Sequence, residues 1–315
     1  MAFGDRVFLT GATGFVGSHI LRELLAAGYA VRALVRDPNV ILTPAKDGSV
    51  EVIGGDLRDV GAFARALHGC RYLIHCAALY SFAPRDRAEL KAVNVDATAS
   101  LMLAGHLAGL ECAILTSSSA TESHAQSGYH LSKLEQERAA FASRLPIVAL
   151  LPTAPVGPGD AKPTPTGKLV LDFARGKIVA KAPGNGGMNL VAVEDVASAH
   201  VAALERGRIG ERYVIGGENL SMDEIWQLLA GVTGKPMPAW RAPYALALAV
   251  GYLDELRCRV TGAKPSVPLE GVRLSRVRMY ADSSKARHDL GYAPTSVRAA
   301  LERAVAWYRE SFSPK

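Results

Sequence analysis

Cysteine is scarce: four residues in 315, and Cys70, Cys76, Cys112 and Cys258 stand apart without a CxxC pair or a Cys/His ligand spacing. Such scatter excludes a disulfide framework and a zinc-type cluster, so the expectation is buried reduced thiols and no metal. Long apolar runs are also missing. The best membrane candidate, residues 243–253, is too short to cross a bilayer and reads as a packed helix of the C-terminal half in preference to a membrane-surface contact, so no stable membrane insertion is expected. No charged, apolar and small-residue succession precedes the apolar stretch at Val7, which removes a secretion signal and makes the cytoplasm the expected compartment. Acidic residues are outnumbered by basic ones, 30 against 36, for a net charge of +6. The Lys and Arg are nevertheless interspersed with acids rather than gathered in a tail, which argues against a nucleic-acid partner and leaves a few arginines to meet phosphates.

What is present is a soluble-type composition, 49% hydrophobic and 21% charged, in a chain long enough for one large α/β unit or two joined domains. Near-continuous apolar runs occur at residues 6–10, 30–35, 50–53, 72–76, 112–116 and 147–151, separated by stretches with helical spacing such as 18–27 and 60–67. Unbroken apolar strands alternating with helices predict a parallel sheet covered on both faces, a doubly wound α/β fold. After Leu151 the prolines at 152, 155, 158, 163 and 165, with glycines between them, predict a loop-rich region. Order is predicted to return at 190–193 as a strand and at 194–205, 221–233 and 296–308 as helices.

The first strand leads into Gly11, Ala12, Thr13, Gly14, Phe15, Val16 and Gly17, three glycines at three-residue intervals ahead of an amphipathic helix. A strand, a glycine turn and a helix N-terminus bring backbone N–H groups onto a pyrophosphate, where side chains would block the approach. Taken alone, the triplet could be only a tight turn; at the head of a βαβ unit it reads as a dinucleotide cradle. At the end of the second strand, where an acid would accept from a ribose 2′-hydroxyl, stand Val35 and Arg36. Arginine there suits a 2′-phosphate, so NADP(H) is favoured over NAD(H), with Asp37 as the competing ribose acceptor. Asp56 and Leu57 after the third strand, and Ala77 and Ala78 after the fourth, fall where such a sheet exposes its ligand crevice. Asp56 reads equally as a helix N-cap.

Tyr129 and Lys133 are four residues apart within a predicted helix and so share one face. A free phenol ionises near pH 10, so proton transfer at neutral pH needs a neighbouring positive charge, which Lys133 supplies. The fifth strand ends in Thr116, Ser117, Ser118, Ser119 and, two residues on, Thr121. Ser118 is the choice to polarise a substrate carbonyl, with Ser119 and Thr121 as alternates.

Together the glycine turn at 10–17, Gly55-Asp56-Leu57, Asn94 to Thr98, Thr116 to Ser118 and the Tyr129/Lys133 pair resemble the extended short-chain dehydrogenase/reductases, the NAD-dependent epimerase/dehydratases. Residues 162–167, 216–220, 282–286 and 290–292 look most like the hopanoid-associated sugar epimerases, and residues 31–37 are similar to dihydroflavonol reductases. The resemblance implies a Rossmann domain over residues 1–151, to which the chain returns at about 189–205. It also implies a mostly helical substrate-binding domain over 152–315, with Ser118, Tyr129 and Lys133 as the active trio. Asn94 and Pro152 are implied to approach the active site or cofactor, and Thr13, Phe15, Val16 and Thr116 belong to the implied cofactor set. Two departures stand out: only eleven positions separate Ser118 from Tyr129, fewer than relatives carry, and Ala192 replaces a usual histidine. The short connection predicts an open pocket.

The expected function is hydride transfer at a carbinol or ketone carbon of a small molecule, with a nucleotide sugar ranked first and a dihydroflavonol-reductase-type NADPH-dependent reduction second. A non-catalytic dinucleotide-binding regulator is the alternative from another class, and a homodimer is compatible with all three. Arg273, Arg276 and Arg278 read as surface charge, or as a clamp for a substrate diphosphate.

Overall fold

The computed structural model describes residues 5–40, 42, 48–81, 84–122, 128–261 and 269–312. The strands are β1 (Arg6–Thr10), β2 (Ala30–Val35), β3 (Val50–Gly54), β4 (Tyr72–His75), β5 (Cys112–Thr116), β6 (Ile147–Pro152), β7 (Ala154–Val156), β8 (Gly187–Ala192), β9 (Arg212–Ile215), β10 (Glu218–Ser221) and β11 (Arg278–Met279). The α-helices are α1 (Phe15–Ala26), α2 (Val60–Phe63), α3 (Arg87–Leu90), α4 (Ala97–Leu107), α5 (Gly128–Phe141), α6 (Pro165–Ala174), α7 (Val193–Arg206), α8 (Met222–Thr233), α9 (Tyr244–Thr261), α10 (Leu269–Leu274), α11 (Ser284–Leu290) and α12 (Val297–Ser311). Residue contacts divide the chain into two units. The first comprises 1–155, 193–215 and 282–294, and the second comprises 156–192, 216–281 and 295–315.

The first unit is built on a seven-stranded parallel sheet in the order β3-β2-β1-β4-β5-β6-β9, the doubly wound architecture expected from the apolar runs. β1, β5 and β6 are buried almost end to end because helices cover both faces, which is why their sequences lack polar alternation. Phe8, Phe63, Leu73, Leu101 and Leu115 form the centre of one apolar cluster, with the Phe8 and Phe63 rings stacked at 6.1 Å. Each such fully buried side chain contributes about 1.5–3 kcal/mol relative to exposure. The strand order reverses between β1 and β4, so the turns that follow these two strands open side by side.

The second unit centres on β8, paired antiparallel with β10 and parallel with β11. The proline-rich stretch expected to be loop contains the whole N-terminal part of α6. Pro165 stands in the first turn, where its missing N–H costs nothing, and Thr164 caps the helix by accepting from Gly167 N at 3.1 Å. Buried Asp160 secures this start, accepting from Thr164 N at 2.9 Å and Thr164 Oγ1 at 2.8 Å. α8 begins with a capping box between Ser221 and Glu224 and ends at left-handed Gly234. The helix anticipated at 243–253 exists as α9, but it is longer and carries its apolar side outward instead of packing it away.

Two glycines position the turn after β1. Gly11 adopts φ +81°, and a Cβ there would lie 2.8 Å from the Ala77 backbone nitrogen. A Cβ on Gly17 would lie 2.0 Å from the Gly11 carbonyl oxygen. Backbone on backbone cannot yield as a flexible side chain would. Gly17→Ala is therefore expected to lower the unfolding free energy by about 2–3 kcal/mol, seen as a shift in urea midpoint at constant slope. Gly61→Ala, whose added methyl meets only Asp59 Oδ1 at 3.6 Å, serves as the neutral control.

Candidate active site

At the carboxyl edge of the first unit's sheet, Thr10 of β1 and His75 of β4 are register partners, as are Thr116 of β5 and Leu150 of β6. The turn after β1 leads into α1, whose N-cap Gly14 provides no side-chain cap. Thr13 and Gly14 are exposed there, and Phe15 and Val16 are half-buried. Ala77, in the turn after β4, is tied back by its N–H donating to Thr10 Oγ1 at 3.1 Å, and Ala78 is exposed.

Lys133 is the centre of the arrangement. It is 2% exposed, and its ammonium donates to the Thr116 carbonyl at 2.7 Å and to Gln136 Oε1. Burial brings its pKa down from the ordinary 10.5 to about 8, against the pull of Cys76 and Glu137 in the opposite direction. Gln136 is oriented by donating to Thr98 Oγ1 at 3.0 Å, and the Thr98 hydroxyl donates to the Asn94 carbonyl at 2.7 Å. His75 Nε2 lies 2.8 Å from that same Thr98 oxygen. With the Thr98 proton already committed, the imidazole carries its proton on Nε2 and accepts on Nδ1 from the Thr10 hydroxyl at 2.8 Å.

Asn94 lies within a π-helical turn, Lys91–Asp96, and is fully buried. Its Oδ1 accepts from Leu79 N at 2.7 Å, while its Nδ2 donates to Leu79 O and to Ser132 Oγ, both at 3.0 Å. Ser132 in turn donates to the Tyr129 carbonyl at 2.8 Å, so Asn94 connects the segment after β4 to the helical turn bearing Tyr129. The Tyr129 ring packs on Tyr80 with centroids 4.4 Å apart at 57°. Burial, and secondarily Cys76, pushes its phenol above the ordinary value of 10.

The strand-end hydroxyls sort by partner. Thr116 Oγ1 is held by His200 Nε2 at 2.8 Å; since His200 Nδ1 donates to the Val196 carbonyl at 2.7 Å, the imidazole accepts from the threonine. Ser117 donates to buried Glu137 at 2.6 Å, and Glu137 pairs with Arg212. Thr121 donates to the Ser118 carbonyl at 2.8 Å. Ser118 Oγ accepts from Ala120 N at 3.2 Å, which leaves its own proton to donate. Of the five serines and threonines at this edge, Ser118 thus has the geometry of a donor, with half-buried Ser119 beside it.

Arg36 is exposed at the end of β2. Asp37 Oδ1 accepts from Asn39 N at 3.0 Å and Asn39 Nδ2 at 3.2 Å, closing a turn of its own. Asp56 does not cap a helix: its carboxylate is held by Arg58 at 2.7–3.0 Å, which lowers its pKa to about 2, and Asp59 is the residue that caps α2. Leu57 packs against the Phe8 cluster, and Pro152 ends β6 as the register partner of Ile215. The connection from Ser118 to Tyr129, expected to open the pocket by its shortness, includes residues 123–127, which lie outside the described residues. All four cysteines are free, two buried and two half-buried, and the described residues contain no cluster of three metal-ligating side chains.

His75, Thr98, Ser132, Gln136 and His200 were not identified from sequence. A signal existed in the spacing: Asn94 and Thr98 are four apart and Lys133 and Gln136 three apart, each pair on one helical face.

A profile of the NAD dependent epimerase/dehydratase family matches residues 7–216. The chain is 36% identical to "Sterol demethylase protein B" of Methylococcus capsulatus, over 96% of this chain and 98% of the other. It is 28% identical to "Dihydroflavonol 4-reductase" of Zea mays, over 71% and 73% respectively. Among solved structures it is similar to gox2253 at TM-score 0.82 and 36% identity, covering 99% of this chain and all of that one. It is also similar to MoeE5 in complex with UDP-glucose and NAD, at TM-score 0.76 and 28% identity over 98% of this chain and all of the other.

Burial lowers the pKa of His75 from 6.5 to about 3, helped by the Lys133 charge, and that of His200 to about 4 against the Val196 hydrogen bond. The unfolded chain protonates both below 6.5 while the folded chain does not, so their stabilisation is present above 6.5 and is lost as pH falls toward about 4. The loss is up to about 1.4 kcal/mol per pH unit for each. Denaturant unfolding between pH 7 and pH 4 is expected to show this decline, with a shallower slope in His200→Asn; an unchanged slope would contradict it.

Proposed function

Because the chain belongs to the NAD dependent epimerase/dehydratase family, we propose that Tyr129 exchanges the hydroxyl proton of a carbinol or ketone substrate in an NAD(P)-dependent hydride transfer. The observation that carries this reading is the meeting, at one sheet edge, of the glycine turn, the Tyr129 helix and the buried Lys133. The residues fit a dinucleotide: at Gly11 and Gly17 a Cβ would strike backbone, and the uncapped helix start beside them offers N–H groups to a pyrophosphate. Gly11, Thr13, Gly14, Phe15, Val16 and Gly17 would hold the diphosphate, Arg36 and Asp56 with Leu57 the adenosine end, and Ala77, Ala78, Thr116 and Pro152 the nicotinamide end, with buried Asn94 positioning the segments around it through Leu79 and Ser132. When bound, the cofactor supplies hydride donation or acceptance at its nicotinamide C4.

The chain's own residues do the rest. Two of the three Lys133 N–H donors are committed to Thr116 and Gln136, and the third is assigned to the nicotinamide ribose. Its positive charge is present below about pH 8, and the role proposed for it is to lower the cost of a phenolate at Tyr129 during the reaction. Without cofactor or substrate, the raised phenol pKa keeps Tyr129 protonated at neutral pH, the form that donates to a carbonyl oxygen during reduction. The Ser118 hydroxyl, with its proton uncommitted, donates to the same oxygen.

For substrate, the first reading is a nucleotide sugar oxidised and re-reduced at one carbon, supported by the likeness to MoeE5 in complex with UDP-glucose and NAD. The second is net NADPH-dependent reduction of a ring ketone on an apolar frame. It is supported by the 36% identity to a protein named for sterol demethylation and by exposed Arg36 at the β2 end. The first unit is assigned to the cofactor and the second to the substrate. Assaying a panel of nucleotide sugars, sterol ketones and flavanonols, with product analysis, separates the readings: epimer without net cofactor turnover supports the first, and stoichiometric cofactor oxidation the second. No turnover and no cofactor redox change with any of them would favour a dinucleotide-binding regulator instead.

Tyr129→Phe is expected to lower kcat about 10²–10⁴-fold while leaving cofactor affinity unchanged, measured by turnover and by fluorescence titration. Arg36→Ala is expected to weaken NADPH binding about tenfold or more and to leave NADH binding alone. Tighter NADH than NADPH binding in the unaltered chain, unmoved by Arg36→Ala, would overturn the cofactor preference.

A further inference from the structure

Eleven of the seventeen large apolar side chains exposed among the described residues lie between Met237 and Tyr280, all in the second unit. Their core is α9. Leu246, Val250, Leu253, Leu256 and Val260 recur at intervals of three and four, so they form one stripe about 21 Å long. The orientation is inverted relative to an ordinary surface helix. Leu253 is 68% and Val260 80% exposed, whereas the Asp254 carboxylate is only 10% exposed and is paired with Arg257. A stripe this continuous signals a surface that something covers.

The chemistry beside it says what. Arg273, Arg276 and Arg278 are exposed, and two of them are fastened to α9: Arg273 donates to Tyr252 Oη at 3.2 Å, and the Arg276 guanidinium lies 4.6 Å over the Tyr244 ring. Trp240, Tyr252 and Tyr280, each 42–55% exposed, contribute rings with one polar end. Over residues 235–261 and 269–281 seven Lys and Arg stand against three Asp and Glu, a surplus of four out of the whole chain's six. An apolar stripe, arginines alongside and amphipathic rings among them match the boundary layer of a bilayer with anionic headgroups. A second copy of the chain fits poorly, because a two-fold contact through this face would bring arginines against arginines.

We propose that the α9 face, with Arg273, Arg276 and Arg278, docks the protein on anionic lipid bilayers without crossing them; no helix among the described residues is long and apolar enough to span one. This goes beyond the hydride-transfer reading and stands or falls separately from it. The test is co-sedimentation of the full chain with vesicles of phosphatidylcholine plus phosphatidylglycerol, and with phosphatidylcholine alone, at low and high salt. The expected result is salt-sensitive binding to the anionic vesicles. Leu253→Ser with Leu256→Ser should reduce that partition about tenfold or more at unchanged melting temperature. Replacing the three arginines by glutamine should cost roughly fivefold each and remove the preference for phosphatidylglycerol. Absence of binding to anionic vesicles, or binding that the leucine variant leaves intact, would overturn the proposal. So would a dimer of the unaltered chain, seen by light scattering, that the leucine substitutions dissociate, because the face would then be an interface between copies.

Discussion

The first unit is organised around the burial of one ammonium group. Taking the Lys133 charge out of water is costly unless strong acceptors replace the solvent, and the chain provides a carbonyl from β5 and an amide from α5. Each acceptor must be presented in one orientation. The Thr116 hydroxyl is turned toward His200, while its carbonyl remains for the lysine. Gln136 is fixed through Thr98, which His75 also engages, and His75 is fixed through Thr10 beside the glycine turn. A buried hydrogen-bonded network of this kind ties the ends of β1, β4 and β5 to α4 and α5, so the turn that would receive a diphosphate and the helix bearing Tyr129 are held by the same bonds.

That network depends on two imidazoles remaining uncharged, and burial enforces this for both. A protonated His75 would stand close to the Lys133 charge and lose its role as acceptor for Thr10. The polar interior is therefore a device for one protonation state, and the apolar layers of Phe8, Leu73 and Leu115 around it keep water from supplying alternatives.

Much of this was legible in sequence, and the reason is physical. Strands buried on both faces must be apolar throughout, so residues 6–10, 112–116 and 147–151 identify themselves. The glycines at 11 and 17 are legible because backbone contact admits no substitute. β9 was not foreseen: Tyr213, Val214 and Ile215 make a short apolar run, and its place at the edge of the sheet arises only from tertiary pairing with β6. Pro165 misled because a residue that breaks a helix interior is favoured in its first turn. The outward apolar side of α9 could not be read, since periodicity reveals that a face exists and not what lies against it. Lys133 and Thr116 were named from sequence, but the residues that orient them escaped, because polar residues that serve one another carry no motif.

The first unit is assembled from three stretches of chain separated by long excursions into the second. A polypeptide emerging from the ribosome therefore has β1 to β6 in hand well before the strand that flanks β6, and the imidazole that receives the Thr116 hydroxyl, have been synthesised. Until then the far side of β6 is an open edge with unpaired backbone groups, the kind of template that recruits other chains. The nascent protein is thus most vulnerable to aggregation in the interval between completing six strands and completing the seventh, a hazard that a contiguous sheet domain would not face.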